Sequence, residues 1–236
     1  MLKTFIKYEN SKFIKSYLYI APVFLFLLSI VGIYIYRNIP ILSSFGSSAI
    51  ILFIIMTWIT IINFNHDSTN ERHILYCQLH SRIKYLNYKA LYLLIFSCPL
   101  IVIALVYPSI IGAFDRALSL NLLVIGLIVH CLVSIFGILL GTFITNTLFE
   151  SKKYTWLLTA LIVVIMLTKT MLLESFPLFK WILWVFPPID YFINLLTSDS
   201  LQLTDIHFMS AVLLSIVYSI CAYLIIKLLF QKFSEL

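Results

Sequence analysis

LNLLVIGLIVHCLVSIFGILLGTF, residues Leu120–Phe143, contains no Asp, Glu, Lys or Arg. A helix rising about 1.5 Å per residue needs roughly 20 such residues to cross a ~30 Å hydrocarbon layer. In lipid no water satisfies the backbone, so an apolar run of this length must close its hydrogen bonds within a helix. Five further runs are of similar length and nearly as apolar, with Lys169 and Lys227 their only charged residues: Tyr17–Tyr36, Ser47–Asn63, Ala90–Tyr107, Thr155–Leu173 and Phe208–Phe230. The sequence therefore predicts an all-α polytopic membrane protein of six transmembrane helices. It forms one transmembrane domain over residues 1–236, since the short connections leave no room for a soluble domain of ordinary size.

Composition agrees with that reading. The chain is 62% hydrophobic and 11% charged, a balance that does not suit a soluble domain. Its net charge of +6 is distributed along the chain in a way that argues against nucleic acid. With the N-terminus in the cytoplasm, Lys3, Lys7, Lys12, Lys15, Arg72, Arg82, Lys84, Lys89, Lys152, Lys153, Lys227 and Lys232 fall inside. Arg37, Arg116 and Lys180 fall outside, and Lys169 lies near the outer end of the fifth run, positioned to snorkel. That asymmetry predicts N-in, C-in and an even number of crossings. The first run is full length and lacks a small-x-small cleavage site, so it reads as a span and not as a signal peptide. Cys98, Cys131 and Cys221 lie within runs and Cys77 lies on the cytoplasmic side, with neither disulfide nor zinc spacing.

Between and before the runs lie three informative segments. Residues Met1–Ser16 interleave Leu2, Phe5, Ile6, Phe13 and Ile14 with four lysines, the pattern of an amphipathic helix on the inner leaflet. NHDSTNERHILYCQLHSRIKYLNYK, Asn65–Lys89, is the longest polar stretch. Asp67, Ser68 or Thr69 is placed to cap a helix with Glu71 in its first turn, and Ile74, Leu75 and Leu79 follow at helical spacing. The third segment, Glu174–His207, is apolar and aromatic but broken by Pro177, Pro187 and Pro188, so it predicts short helices dipping into the outer leaflet between spans five and six. Its Trp181, Trp184 and Phe186 suit an outer aromatic belt or a gate.

Functional motifs are scarce. Proton- or ion-coupled carriers place ionisable groups at the midplane, where only His130 stands. HExxH, GxSxG and GxxxxGK[ST] are all missing from the sequence. His130, Ser134, Gly137, Gly141 and Thr145 recur three to four apart on one face, and Gly137-x-x-x-Gly141 allows close helix approach. That face predicts either packing within the chain or a subunit interface or substrate path. His66, His73 and His80, spaced by seven, read as a solvated or docking face.

Taken together, the basic amphipathic N-terminus, the six runs, the cytoplasmic loop and the broken outer segment resemble the permease subunit of an ABC-2 type transporter. The loop carries the most specific likeness: Asp67 and Glu71-Arg72, then Ile74-Leu75, Ser81-Arg82 and Lys89. It departs where His73 replaces a usual Gly-Thr and Leu79-His80 a frequent Pro. The resemblance implies a multi-pass subunit of a bacterial cell membrane with no enzymatic site or cofactor of its own. ATP and Mg would be bound by separate P-loop ATPases docking at Asp67, Glu71, Arg72, His73, Leu75 and Arg82, with Leu75 as apolar anchor. It also implies a second permease copy, in a homo- or heterodimer, around the path. Small size and nearly uncharged spans resemble peptide-exporter permeases of low-GC Gram-positive bacteria, such as those for phenol-soluble modulins or for bacteriocin export and self-protection. An amphipathic or hydrophobic peptide is the substrate so implied. An intramembrane enzyme and a membrane sensor or immunity protein without transport are the rival readings.

Overall fold

The computed structural model describes residues 1–146, 152–175, 183, 186–197 and 201–233. Ten helices are given by the described residues: α1 (Leu2–Ser16), α2 (Ile20–Ile33), α3 (Ile41–His66), α4 (Thr69–Leu79), α5 (Arg82–Ile110), α6 (Leu120–Asn146), α7 (Lys152–Leu167), α8 (Lys169–Ser175), α9 (Ile189–Leu196) and α10 (Ile206–Phe233). No strand occurs among the described residues; a single bridge joins Ile39 to Phe114.

Among the described residues, four helices are long and apolar enough to cross a membrane: α3, α5, α6 and α10. The pair α1–α2 meets the same test jointly, but bends by 80° at its break. The bend falls at Tyr17, which closes α1 in the left-handed region at φ 58°. The expected fifth run is divided at Thr168 into α7 and α8, and its apolar part, Thr155–Met166, is shorter than a span. Hydrogen bonds from Thr168 N to Val164 O (3.0 Å) and from Leu172 N to Thr168 O (2.9 Å) still cross that division. The described structure thus supplies four to five crossings where the sequence predicts six.

α3 is the central post. It packs on α2, α5, α6 and α9, most extensively on α6. Lipid provides no hydrophobic drive for helices to associate, so close van der Waals approach must supply it. The small residues of α6 permit that approach. A Cβ at Gly137 would stand 2.8 Å from Phe53 O, and one at Gly141 would stand 2.6 Å from Thr60 Cβ. Thr57, Thr60, Thr142 and Thr145 turn their hydroxyls back to carbonyls of their own helices, at 2.6–2.8 Å. This removes the cost of burying them.

Short clips join the elements. Ser68 caps α4 and accepts from Glu71 N at 3.3 Å, choosing among the three candidates. Ser81 caps α5 in the same way. At the opposite end of the bundle, Ile39 N donates to Ala113 O (3.0 Å) and Asp115 N to Ile39 O (3.2 Å), fastening the loop before α3 to the loop after α5.

Candidate functional site

Where the α1 helix meets the ends of α3, α4 and α5, three carboxylates and two ammonium groups gather. The links begin with local geometry. α3 ends at Asp67, whose extended backbone (φ −76°, ψ 123°) turns its carboxylate under the bundle. Tyr85 and Lys89, one helical turn apart on α5, rise to meet it, and both donate to Asp67 Oδ2. Lys12 of α1 approaches from the other side, 2.5 Å from Asp67 Oδ1, and also binds Glu71. Tyr8 donates to Glu71 Oε1 at 2.6 Å. Glu9 completes the group, 3.4 Å from Lys89 Nζ, while accepting from Asn63 Nδ2 at 3.0 Å. Lys89 also lies 5.0 Å from the Phe64 ring centre and 5.4 Å from that of Tyr85, a favourable setting for a desolvated cation.

Burial makes this cluster consequential. Lys89 is 0%, Glu9 1% and Asp67 5% exposed. Charges removed from water are tolerated only when paired and hydrogen-bonded. Burial pushes the Asp67 carboxyl up, but Lys89, Lys12 and Tyr85 outweigh it and hold the group below its ordinary value. Glu71 is likewise lowered: burial raises it, and the bonds from Lys12 and Tyr8 more than reverse that. Burial lowers Lys12, but the two carboxylates prevail and raise it. The hydrogen bond to Glu71, with burial second, lifts the Tyr8 hydroxyl to about 12. Each carboxylate is engaged by a cation through at least one oxygen, so the cluster works as a latch between α1 and the ends of α3, α4 and α5, with Glu9 Oε2 buried and not hydrogen-bonded.

Above the latch, α1 and α4 enclose a groove of about 460 Å³, lined by Thr4, Phe5, Tyr8, Ile74, Leu75 and Gln78 among others. The expected docking residues divide here. Asp67 and Glu71 face the latch. Arg72 donates to Phe64 O. Leu75, expected as an apolar anchor for a partner, is 6% exposed and packs into its own protein, whereas its neighbour Ile74 is 57% exposed. His73 rests edge-on against Tyr76, at 6.1 Å, and the Arg82 guanidinium lies 6.0 Å from the centre of the same ring. His66 ends α3, His73 lies in α4 and His80 closes α4 at φ 55°, so the three histidines do not form one helical face.

The small-residue face of α6 packs within the chain, one of the two arrangements its pattern allows. α3 lies against it at His130, Gly137 and Gly141, while Ser134 is buried and Thr145 half-buried. His130 is fully buried, with Nε2 2.9 Å from Ser48 Oγ and Nδ1 2.7 Å from Gly126 O. Among the aromatic residues, Phe186 borders a small apolar cavity of about 160 Å³ with Phe136, Phe143 and Tyr218. Trp181 and Trp184 lie outside the described residues. Lys169, expected to snorkel, instead pairs with Asp190 of α9 at 2.8 Å.

Sequence reading missed Glu9, Lys12, Asn63 and Tyr85 as partners. The available signal was weak: an acidic residue inside a basic amphipathic segment, and a Lys at the threshold of an apolar run. Comparison with known proteins adds no relative, since no protein-family model, curated protein or solved structure matches the chain.

Proposed function

We propose that this chain is the transmembrane permease subunit of an ATP-driven ABC exporter. It has six crossings, α2, α3, α5, α6, α7–α8 and α10, with both ends in the cytoplasm. α1 lies along the inner leaflet. Separate P-loop ATPases dock beneath α4, and a second permease copy completes a path for an amphipathic or hydrophobic peptide. The observation that carries this reading is the latch. A short surface helix, α4, is tied to α1 by the Glu71–Lys12 pair, the turn before it is tied to the base of α5 by the buried Asp67–Lys89 pair, and it offers exposed Ile74 beside a groove. Force applied to α4 passes directly into the membrane helices, as a separately powered transporter requires. Ile74 takes over the anchoring role expected of Leu75.

Mild solubilisation of the native complex, followed by identification of co-purifying chains, tests the reading. The expected result is a stoichiometric partner bearing GxxxxGK[ST], lost from Ile74→Glu protein of unchanged abundance. A chain that purifies alone across several mild detergents favours a sensor or immunity protein.

A further inference from the structure

α5 presents two chemically different faces near its start. Tyr85 and Lys89 point into the latch, while Asn87, Leu91 and Leu94 face away from it. On that second side a crevice of about 280 Å³ opens between α5, α6 and α10, floored by Leu91, Leu94, Ile138 and Leu139. Its polar rim is Asn87, which accepts from the Tyr223 hydroxyl of α10. One turn beyond that rim, Lys84 stands three residues before Asn87 and Lys227 four residues after Tyr223. α5 leaves this end of the bundle as α10 returns to it, so the two lysines flank the same mouth. Lys84 is exposed and Lys227 half-buried, and neither meets a carboxylate among the described residues. α10 itself is sparsely covered by protein, with 11% of its apolar window buried.

We infer that this crevice is a binding site for one anionic phospholipid, its phosphate held between Lys84 and Lys227 and an acyl chain lying along Leu91 and Leu94. Basic pockets between membrane helices on the cytoplasmic side select anionic headgroups in this way. Charge also chooses this occupant over a second copy of the chain. A two-fold contact here would set the same two lysines against their equivalents, and like charges oppose such pairing. The site does not depend on the exporter reading and survives its failure.

The test uses the purified full-length chain in detergent with phosphatidylglycerol and phosphatidylcholine of equal chain length. Retained lipid is counted by native mass spectrometry. Wild type should favour phosphatidylglycerol, each lysine contributing roughly fivefold. Lys84→Gln with Lys227→Gln should bring the two lipids to parity while leaving phosphatidylcholine retention unchanged. Leu94→Trp, which fills the floor, should expel both lipids. Lys3→Gln with Lys7→Gln, exposed on α1, should keep most of the preference. Equal retention of both lipids by wild type overturns the inference. So does an equal loss of preference in the α1 pair, which assigns it to diffuse surface charge.

Discussion

Lys89 has no route to water, and its charge is balanced by Glu9 and Asp67. Removing one partner from a buried pair leaves the others uncompensated and costs ~3–5 kcal/mol. Lys89→Met should therefore lower thermal stability in detergent sharply. Adding Glu9→Gln should recover part of the loss, since one orphaned charge goes with it. Unchanged melting of the single variant would show that the latch contributes nothing. The same residues set a pH window. Asp67 and Glu71 are held below their ordinary values of 3.8 and 4.5, so the unfolded chain binds protons that the folded one does not. Their contribution is fully present above those ordinary values and is lost as pH falls through the lowered ones. Lys12, raised above 10.5, gives the opposite limb: its contribution holds below that value and is lost only as pH rises beyond it. Hydrogen exchange of α1 should accordingly show constant opening free energy from about pH 6 to 9. α1 should loosen on acidification below the carboxyl range.

At the scale of elements, the α3–α6 contact depends on positions where a methyl group has no space. Gly137 and Gly141 face backbone atoms of α3, Phe53 O at 2.8 Å and Thr57 O at 2.9 Å, which cannot rotate aside. Gly126 meets the ends of the Leu105 and Phe45 side chains, which can. Overpacking costs typically 1–3 kcal/mol. Gly137→Ala and Gly141→Ala should destabilise the solubilised protein by about that amount, and Gly126→Ala by less. Gly32→Ala, with nothing within 4 Å of the added carbon, should be neutral or slightly stabilising, as expected for Ala in a helix. An order of melting temperatures that failed to separate Gly137 and Gly141 from Gly32 would contradict the packing argument. Sequence pattern identified this face but left its neighbour open. Small residues at i and i+4 state only that something comes close, and α3 fits because its own Thr57 and Thr60 present hydroxyls already bonded within the helix.

For the whole molecule, the lysine and arginine asymmetry and the proposed crossings make one claim about sides. An impermeant thiol reagent applied to intact cells should label Arg37→Cys, in the exposed loop before α3, and leave native Cys77 of α4 unlabelled until the membrane is opened. The reverse pattern would invert the topology. What the sequence alone determined was membrane class, the four long spans and the helical N-terminal and loop segments. Each of these depends on runs of neighbouring residues, and lipid judges a run by its own length and polarity. Tertiary structure alone decided the partners. Glu9, Lys12, Asn63, Asp67, Glu71, Tyr85 and Lys89 come from four helices and the turn after α3, and Lys169 meets Asp190 instead of reaching for headgroups. Charge pairing is set by distance in space, and a sequence gives the charges without the distances. Leu75 and Ile74 make the same point side by side: equally apolar neighbours on one short helix, one buried and one exposed according to which side of α4 the rest of the chain packs against.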